Sequence, residues 1–279
     1  MRWSPLHRIV LAACATLLLA GCGPVSAALH DPRDLPAFER DPRVHYDANA
    51  RGYAEAVAKL LPAAITRVEA AQGGPFARPF VVAAYLDDDA YAAANGLGSP
   101  KARGVTYFDR VAMSPALWRE EPAYLEADFV HELSHEHLWG HLSAVEYFQI
   151  PVWFVEGLAV MVSGGGGAQR VSAEDAEREI VAGRVIETPD TAFLFGNLGV
   201  KPPPARMENE DQRVRMHMAY RQAGLFVSFL RAQNREGFKS LLERLISGER
   251  FKPAFEASFG TSVAAMRERF LTVLRGAAS

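Results

Sequence analysis

Apolar residues first gather in a run from Ile9 to Ala20, twelve residues preceded by Arg2 and Arg8. Such a run is too short to span a bilayer and has the layout of a secretory signal. From Gly23 to about Tyr46 periodicity disappears. Pro24, Pro32, Pro36 and Pro42 stand there among charged and small residues, a composition expected of a tether, with order beginning near Asp47. Tyr53, Val57, Leu60, Leu61, Ala64, Ile65 and Val68 then recur at helical spacing up to Gly73-Gly74, and Pro62 is expected to kink or divide that helix. Pro79–Asp87 reads as a buried strand, and Gly104–Tyr107 and Val111–Ser114 as two short strands pairing around Phe108-Asp109-Arg110.

Beyond Glu121 and Pro122 the pattern is helical. One helix runs through "FVHELSHEHLWGH", Phe129 to His141, and a mostly apolar one covers Pro151–Val162 and ends at Gly164–Gly167. Ala173–Ala182, Met216–Arg231, Phe238–Ile246 and Val263–Leu274 follow, with a linker containing Pro202-Pro203-Pro204, and no internal repeat is present. The expected architecture is α+β: a small mixed or antiparallel sheet in about residues 47–120, then a mainly helical body in about 121–279, together forming a single domain over 47–279.

Composition supports a buried core and narrows the chemistry. The chain has 279 residues, 49% hydrophobic and 10% aromatic, enough for one sizeable core. Residues 1–21 carry Arg2 and Arg8 and no acids, so their removal as a signal peptide leaves 28 basic against 33 acidic side chains, a formal charge of −5. That balance gives no reason to expect nucleic acid. The two cysteines are Cys14, inside the signal, and Cys22, at the end of Leu19-Ala20-Gly21-Cys22. That tetrapeptide resembles the lipobox of bacterial lipoproteins, which implies acylation of Cys22 and anchoring of the mature chain in the cell envelope, facing the periplasm. Gly23 lacks the acid that retains lipoproteins at the inner membrane, so the resemblance favours the outer one. With both cysteines so assigned, a metal site must use His, Asp or Glu.

Four of the eight histidines fall between Phe129 and His141. His131-Glu132-Leu133-Ser134-His135 fits H-E-x-x-H: residues four apart share a helix face, so both imidazoles can reach one ion. Glu132 stands at the edge of that face, where it can take a proton from an activated water without ligating. Zinc suits such a donor set, and a catalytic centre needs one more protein ligand, a carboxylate or a third histidine, with a place left for water. Glu156, in "WFVEGLA", meets this on the next helix after a gap of twenty residues. Small side chains at Gly157 and Ala159 are expected to let that helix approach the histidines. His137 and His141 form a further pair four apart, but the first is rotated by about 200° from His135, so both are expected to be exposed or in a loop.

The two motifs together resemble the gluzincins, the thermolysin-like zinc metallopeptidases, and particularly their small exported peptidase MA-like members. The resemblance implies a zincin-like fold over roughly Phe80 to Phe270. It further implies one zinc ion on His131, His135 and Glu156, and Glu132 as general base. An oxyanion donor from a later helix is also implied; Tyr220 is the candidate, with His217 three residues before it as the alternative. An edge strand, Gly104–Tyr107 or Val111–Ser114, should pair with extended substrate. The sequence departs from the thermolysin-like pattern at Val160, where an acid commonly orients the first histidine; Asp128 or a backbone carbonyl is left to do so. The Gly164–Gly167 run suits a lid or a plain loop equally.

The expected function is therefore zinc-dependent hydrolysis of peptide or protein substrate, internal to the chain cleaved, by a monomeric or weakly associating lipoprotein. Two rivals belong to other classes: a non-catalytic zinc-binding envelope scaffold, which has no evident need for Glu132, and a metal-free helical interaction protein.

Overall fold

A computed structural model describes residues 26–186 and 208–277. The expected signal peptide, Cys22 and the Pro202–Pro204 linker lie outside the described residues. The fold is α+β, a small mixed sheet followed by a mainly helical body. Among the described residues no helix is long and apolar enough to cross a membrane.

Five strands form the sheet: β1 (Ala37–Phe38), β2 (Asp41–Tyr46), β3 (Val81–Ala84), β4 (Gly104–Tyr107) and β5 (Arg110–Met113), in the order β1-β2-β3-β5-β4. The three central strands are parallel, and the outer two pair antiparallel with their neighbours. Helix α1 (Arg51–Gln72) makes the crossover from β2 to β3. Side chains alternate across the sheet as strand geometry requires. Val44, Val82, Ala84, Val111 and Met113 join the main core, whereas Ala83 and Ala112 face a second cluster with Tyr85, Tyr91 and Ala94. Tyr91 and Ala94 belong to α2 (Asp88–Ala94), which covers that side.

Helix α4 (Leu125–His141) follows the short α3 (Pro115–Arg119) and a 3₁₀ turn at Pro122–Tyr124. It packs on α1 and on β4, the edge strand. Next come α5 (Ala144–Phe148), α6 (Val152–Ser163) and α7 (Ala173–Val181). The remaining helices are α8 (Glu210–Gln233), α9 (Arg235–Ile246), α10 (Phe251–Phe259) and α11 (Val263–Ala277). Helix α6 lies between α4 and α8, which explains why it is apolar nearly all round. Trp153 and Phe154 on α6 meet Phe226 of α8, Phe238 of α9 and Phe251 of α10, closing the helical core.

Three expectations need correction. Order does not wait for Asp47: residues 37–46, assigned to the tether, supply β1 and β2. Prolines hid them, yet Phe38 and Val44 are buried against α1 and the sheet, and that burial outweighs poor strand composition. Pro62 does not divide α1, because it lies on the exposed face, where a carbonyl lacking its intrahelical partner can bond water; Leu61, Ala64 and Val68 continue the buried stripe unbroken. Neither His137 nor His141 is in a loop: both are on α4, and His137 is fully buried. Their Nε2 atoms donate to two successive carbonyls, Gly74 O at 3.0 Å and Pro75 O at 3.1 Å, tying α4 to the turn that ends α1.

Candidate metal centre

The pattern H-E-x-x-H does its geometric work on α4. His131 and His135, one turn apart, direct their Nε2 atoms to within 3.1 Å of each other. Glu156 arrives from the middle of α6, and its Oε2 lies 3.2 Å from His131 Nε2 and 3.3 Å from His135 Nε2. Two nitrogens and one oxygen thus form a nearly equilateral triangle, a group that could hold a metal ion. Oε2 is buried and has no hydrogen-bond partner, although both nitrogens are within reach. An orphaned carboxylate oxygen is costly in such a place unless a cation completes it. Burial alone would raise the Glu156 carboxyl, but the charge of His135 leads the opposing effects and holds it well below the usual carboxylate range.

Both imidazoles are held from behind. His131 Nδ1 lies 3.0 Å from the carbonyl oxygen of Gly166, which only accepts, so a proton sits on Nδ1 and Nε2 is the nitrogen turned to the triangle. His135 Nδ1 lies 3.5 Å from the hydroxyl of Tyr147 on α5. The Gly164–Gly167 run is therefore a support beneath His131 and not a lid. A Cβ on Gly167, whose φ is +77°, would lie 2.9 Å from His131 Cε1.

Glu132 points into the same cleft from the neighbouring position. Thr106 on β4 lies with its hydroxyl 2.9 Å from Glu132 Oε2 and 2.8 Å from the Glu132 carbonyl, able to donate to either. Gly104 on the same strand makes room for it, since a Cβ there would come within 2.6 Å of Glu132 Cγ. Burial raises the Glu132 carboxyl, opposed by the nearby imidazoles of His135 and His131, and the result is a group above its ordinary value. That is the direction a general base working near neutrality needs.

Tyr220, on α8, stacks on His131 with ring centroids 6.0 Å apart. Burial first, and then the charges of Glu156 and Glu132, raise its phenol well above the ordinary value, so the hydroxyl keeps its proton and can donate. His217 is occupied otherwise: Arg103 Nη2 lies 3.3 Å from its Nε2 and the Arg170 amide 3.3 Å from its Nδ1, and a neutral ring accepts from one of the two. Burial and the charges of Arg103, Arg170 and Arg221 push it down to about 3, so it stays neutral. Gly157 does bring helices together, but a different pair from the one expected. A Cβ there would meet Ala223 O at 2.6 Å and Val227 Cγ2 at 2.7 Å, so its close approach is to α8. The helix this glycine admits, α8, is the one that carries Tyr220.

The two histidines, Glu132, Glu156, Thr106, Tyr147, His217 and Tyr220 line one cleft of about 760 Å³. Strand β4 forms one wall; β5, the other candidate for an edge, is flanked on both sides and cannot add a strand. At one end, Phe108 at the tip of the β4–β5 turn, Trp139 on α4, and Tyr147 and Phe148 on α5 pack edge to face into an aromatic wall. At the other end lie Arg103, Asp128, Arg170 and His217. Sequence reasoning missed Thr106 and Tyr147, neither of which belongs to a motif. A Ser143–Glu146 capping box marks the helix that carries Tyr147, and is the signal from which it was findable. Comparison of the chain with protein-family models, with curated proteins and with solved structures gives no match.

Proposed function

We propose that the chain is a zinc-dependent peptide hydrolase of the gluzincin type. The observation that carries this reading is the triangle of His131, His135 and Glu156 with the carboxylate of Glu132 aimed into the same cleft. Edges of 3.1 to 3.3 Å suit three corners of a tetrahedron. They correspond to ligand bonds of about 2.0 Å, the length zinc makes to imidazole and carboxylate. Two imidazoles and a carboxylate without thiolate are also a usual donor set for zinc with an open position.

Bound there, zinc supplies a Lewis acid that lowers the pKa of water and polarises a substrate carbonyl. The protein does the rest. Glu132, held by Thr106, accepts the proton of the attacking water and delivers it to the leaving amine. Tyr220 donates to the oxyanion as charge develops on it. An extended peptide adds to the free edge of β4 through backbone hydrogen bonds, and the wall of Phe108, Trp139 and Phe148 takes an apolar side chain. An internal bond is the target of this reading, because the cleft lining runs the whole length of β4, from Arg103 before it to Phe108 after it. Anchoring at the cell envelope through Cys22 belongs to the same proposal and is supported by Leu19–Cys22 alone.

The test compares wild type and Glu132→Gln, both checked for zinc content, on unfolded casein. Cleavage by wild type and a loss on the order of 10²-fold or more in the variant, with zinc retained, is expected. Equal zinc binding with casein left intact by both makes the chain a binding scaffold instead.

A further inference from the structure

Gly166 O and the Gly167 N–H are the two ends of one peptide unit, and this chain uses both. The carbonyl faces His131 Nδ1 at 3.0 Å; the N–H donates to Asp128 Oδ1 at 2.9 Å. We infer that Asp128 is a positioning residue that fixes the tautomer and orientation of His131 through this peptide. The inference rests on the metal-binding half of the proposed function and not on hydrolysis.

A trans peptide is planar, so gripping its N–H fixes where its carbonyl points. The grip matters because four consecutive glycines, Gly164–Gly167, have unusual backbone freedom and no side chain of their own to dock. A carboxylate is the stronger acceptor, and its charge polarises the peptide it holds, making the carbonyl a better partner for the imidazole N–H. Asp128 is itself buried, 4% exposed, and its charge is met by Arg103 Nε at 3.2 Å from Oδ2. Gln169 donates to Asp128 Oδ1 and accepts from Arg103 at 2.8 Å, closing the arrangement. On the other side, Gly166 N–H bonds Ser163 Oγ at 2.8 Å, and the loop runs so close to α4 that a Cβ on Gly166 would sit 2.2 Å from Ala127 O. Asp128 lies one turn before His131 on the same helix, so ligand and grip move together. Arg103 immediately precedes β4, whose Gly104 and Thr106 fit Glu132, so base and ligand are set by one connected group.

The test measures zinc affinity by competition with a chromophoric chelator, and the His131 tautomer by imidazole ¹⁵N shifts, for wild type, Asp128→Ala and Asp128→Asn. Asp128→Ala should bind zinc about 10- to 100-fold more weakly and lose the single Nδ1–H signature. Asp128→Asn, which keeps a neutral acceptor for Gly167 N–H, should recover part of the affinity. Should Asp128→Ala fail to fold for want of a partner to Arg103, Gly166→Ala answers the same question: it dislodges the carbonyl with the ion pair intact, and should weaken zinc similarly. The inference is overturned if a folded Asp128→Ala or Gly166→Ala protein binds zinc within about threefold of wild type with an unchanged tautomer. Neither readout requires peptide cleavage, so this outcome is separate from failure of the hydrolase reading; if wild type takes up no zinc, the ¹⁵N shifts alone decide.

Discussion

Replacing Glu136 by Gln should stabilise the protein, and by more as the pH rises. Glu136 stands next to His135 on α4 but is only 1% exposed, and its Oε2 has no hydrogen-bond partner. Burial pushes its carboxyl up to about 9; the charge of Asp109 adds to this, and Arg33 and Arg78 work against it. In the unfolded chain the same group titrates near 4.5. A folded value above the unfolded one means that folding takes up a proton between the two. The contribution is fully present below about pH 4.5 and is lost as pH rises toward about 9. At pH 8, 3.5 units above the unfolded value, the loss is at most about 5 kcal/mol at about 1.4 kcal/mol per unit, and relaxation and water entry bring it to a few. Glutamine keeps the shape and cannot ionise. Urea melts of wild type and Glu136→Gln at pH 5, 6, 7 and 8 should therefore show a difference that grows in favour of the variant by roughly 1 kcal/mol per pH unit. Taking the difference cancels the pH dependence of the metal site, which both proteins share. A difference that stays flat across that range would mean that Glu136 is ionised inside the fold, and the reasoning from burial would be refuted.

Three further changes separate the parts of the site. Gly104→Ala puts a methyl where Glu132 Cγ would be 2.6 Å away; displacing the proposed base by close to 1 Å should cost about 10²-fold in kcat with zinc content unchanged, and equal turnover would count against Glu132 in that role. Tyr220→Phe removes the donor beside Glu156 and should lower kcat about 10²- to 10³-fold with KM nearly constant, a loss confined to KM pointing to substrate binding instead. Gly157→Ala, with its Cβ 2.6 Å from Ala223 O, should destabilise by about 1–3 kcal/mol; a thermal midpoint within a degree of wild type would mean that α6 and α8 are not in close contact.

How much of this was legible in the sequence depends on how local each relation is. His131, His135 and Glu132 follow from spacing on one helix, and the structure leaves them where the spacing puts them. Glu156 was legible for a different reason: its gap of twenty residues holds the end of α4, the short α5 and the first turn of α6 with only brief connections between them, so few paths lead the chain back to the histidines. Of the partners that hold these groups only a kind was legible, Asp128 or a backbone carbonyl behind His131; which carbonyl, and that Thr106 and Tyr147 join in, depends on packing. Thr106 is one residue of a four-residue edge strand, and Gly166 offers a carbonyl that every residue has. His137 shows the same limit from the other side. Helical phase correctly turned it away from His135, but whether that direction meets water or a carbonyl depends on where α1 ends, and here it ends at Gln72, so that the Gly74 carbonyl in the turn beyond it accepts from His137. Gly157 is the most instructive case. A small residue beside a ligand announces a close approach without saying to what, and about 100° of helix rotation from Glu156 is enough to aim it at α8 instead of α4. The consequence is physical: the glycine that looked like part of the histidine–glutamate group's assembly brings α6 against α8, the helix that carries Tyr220, a relation that only the packing of three helices makes readable.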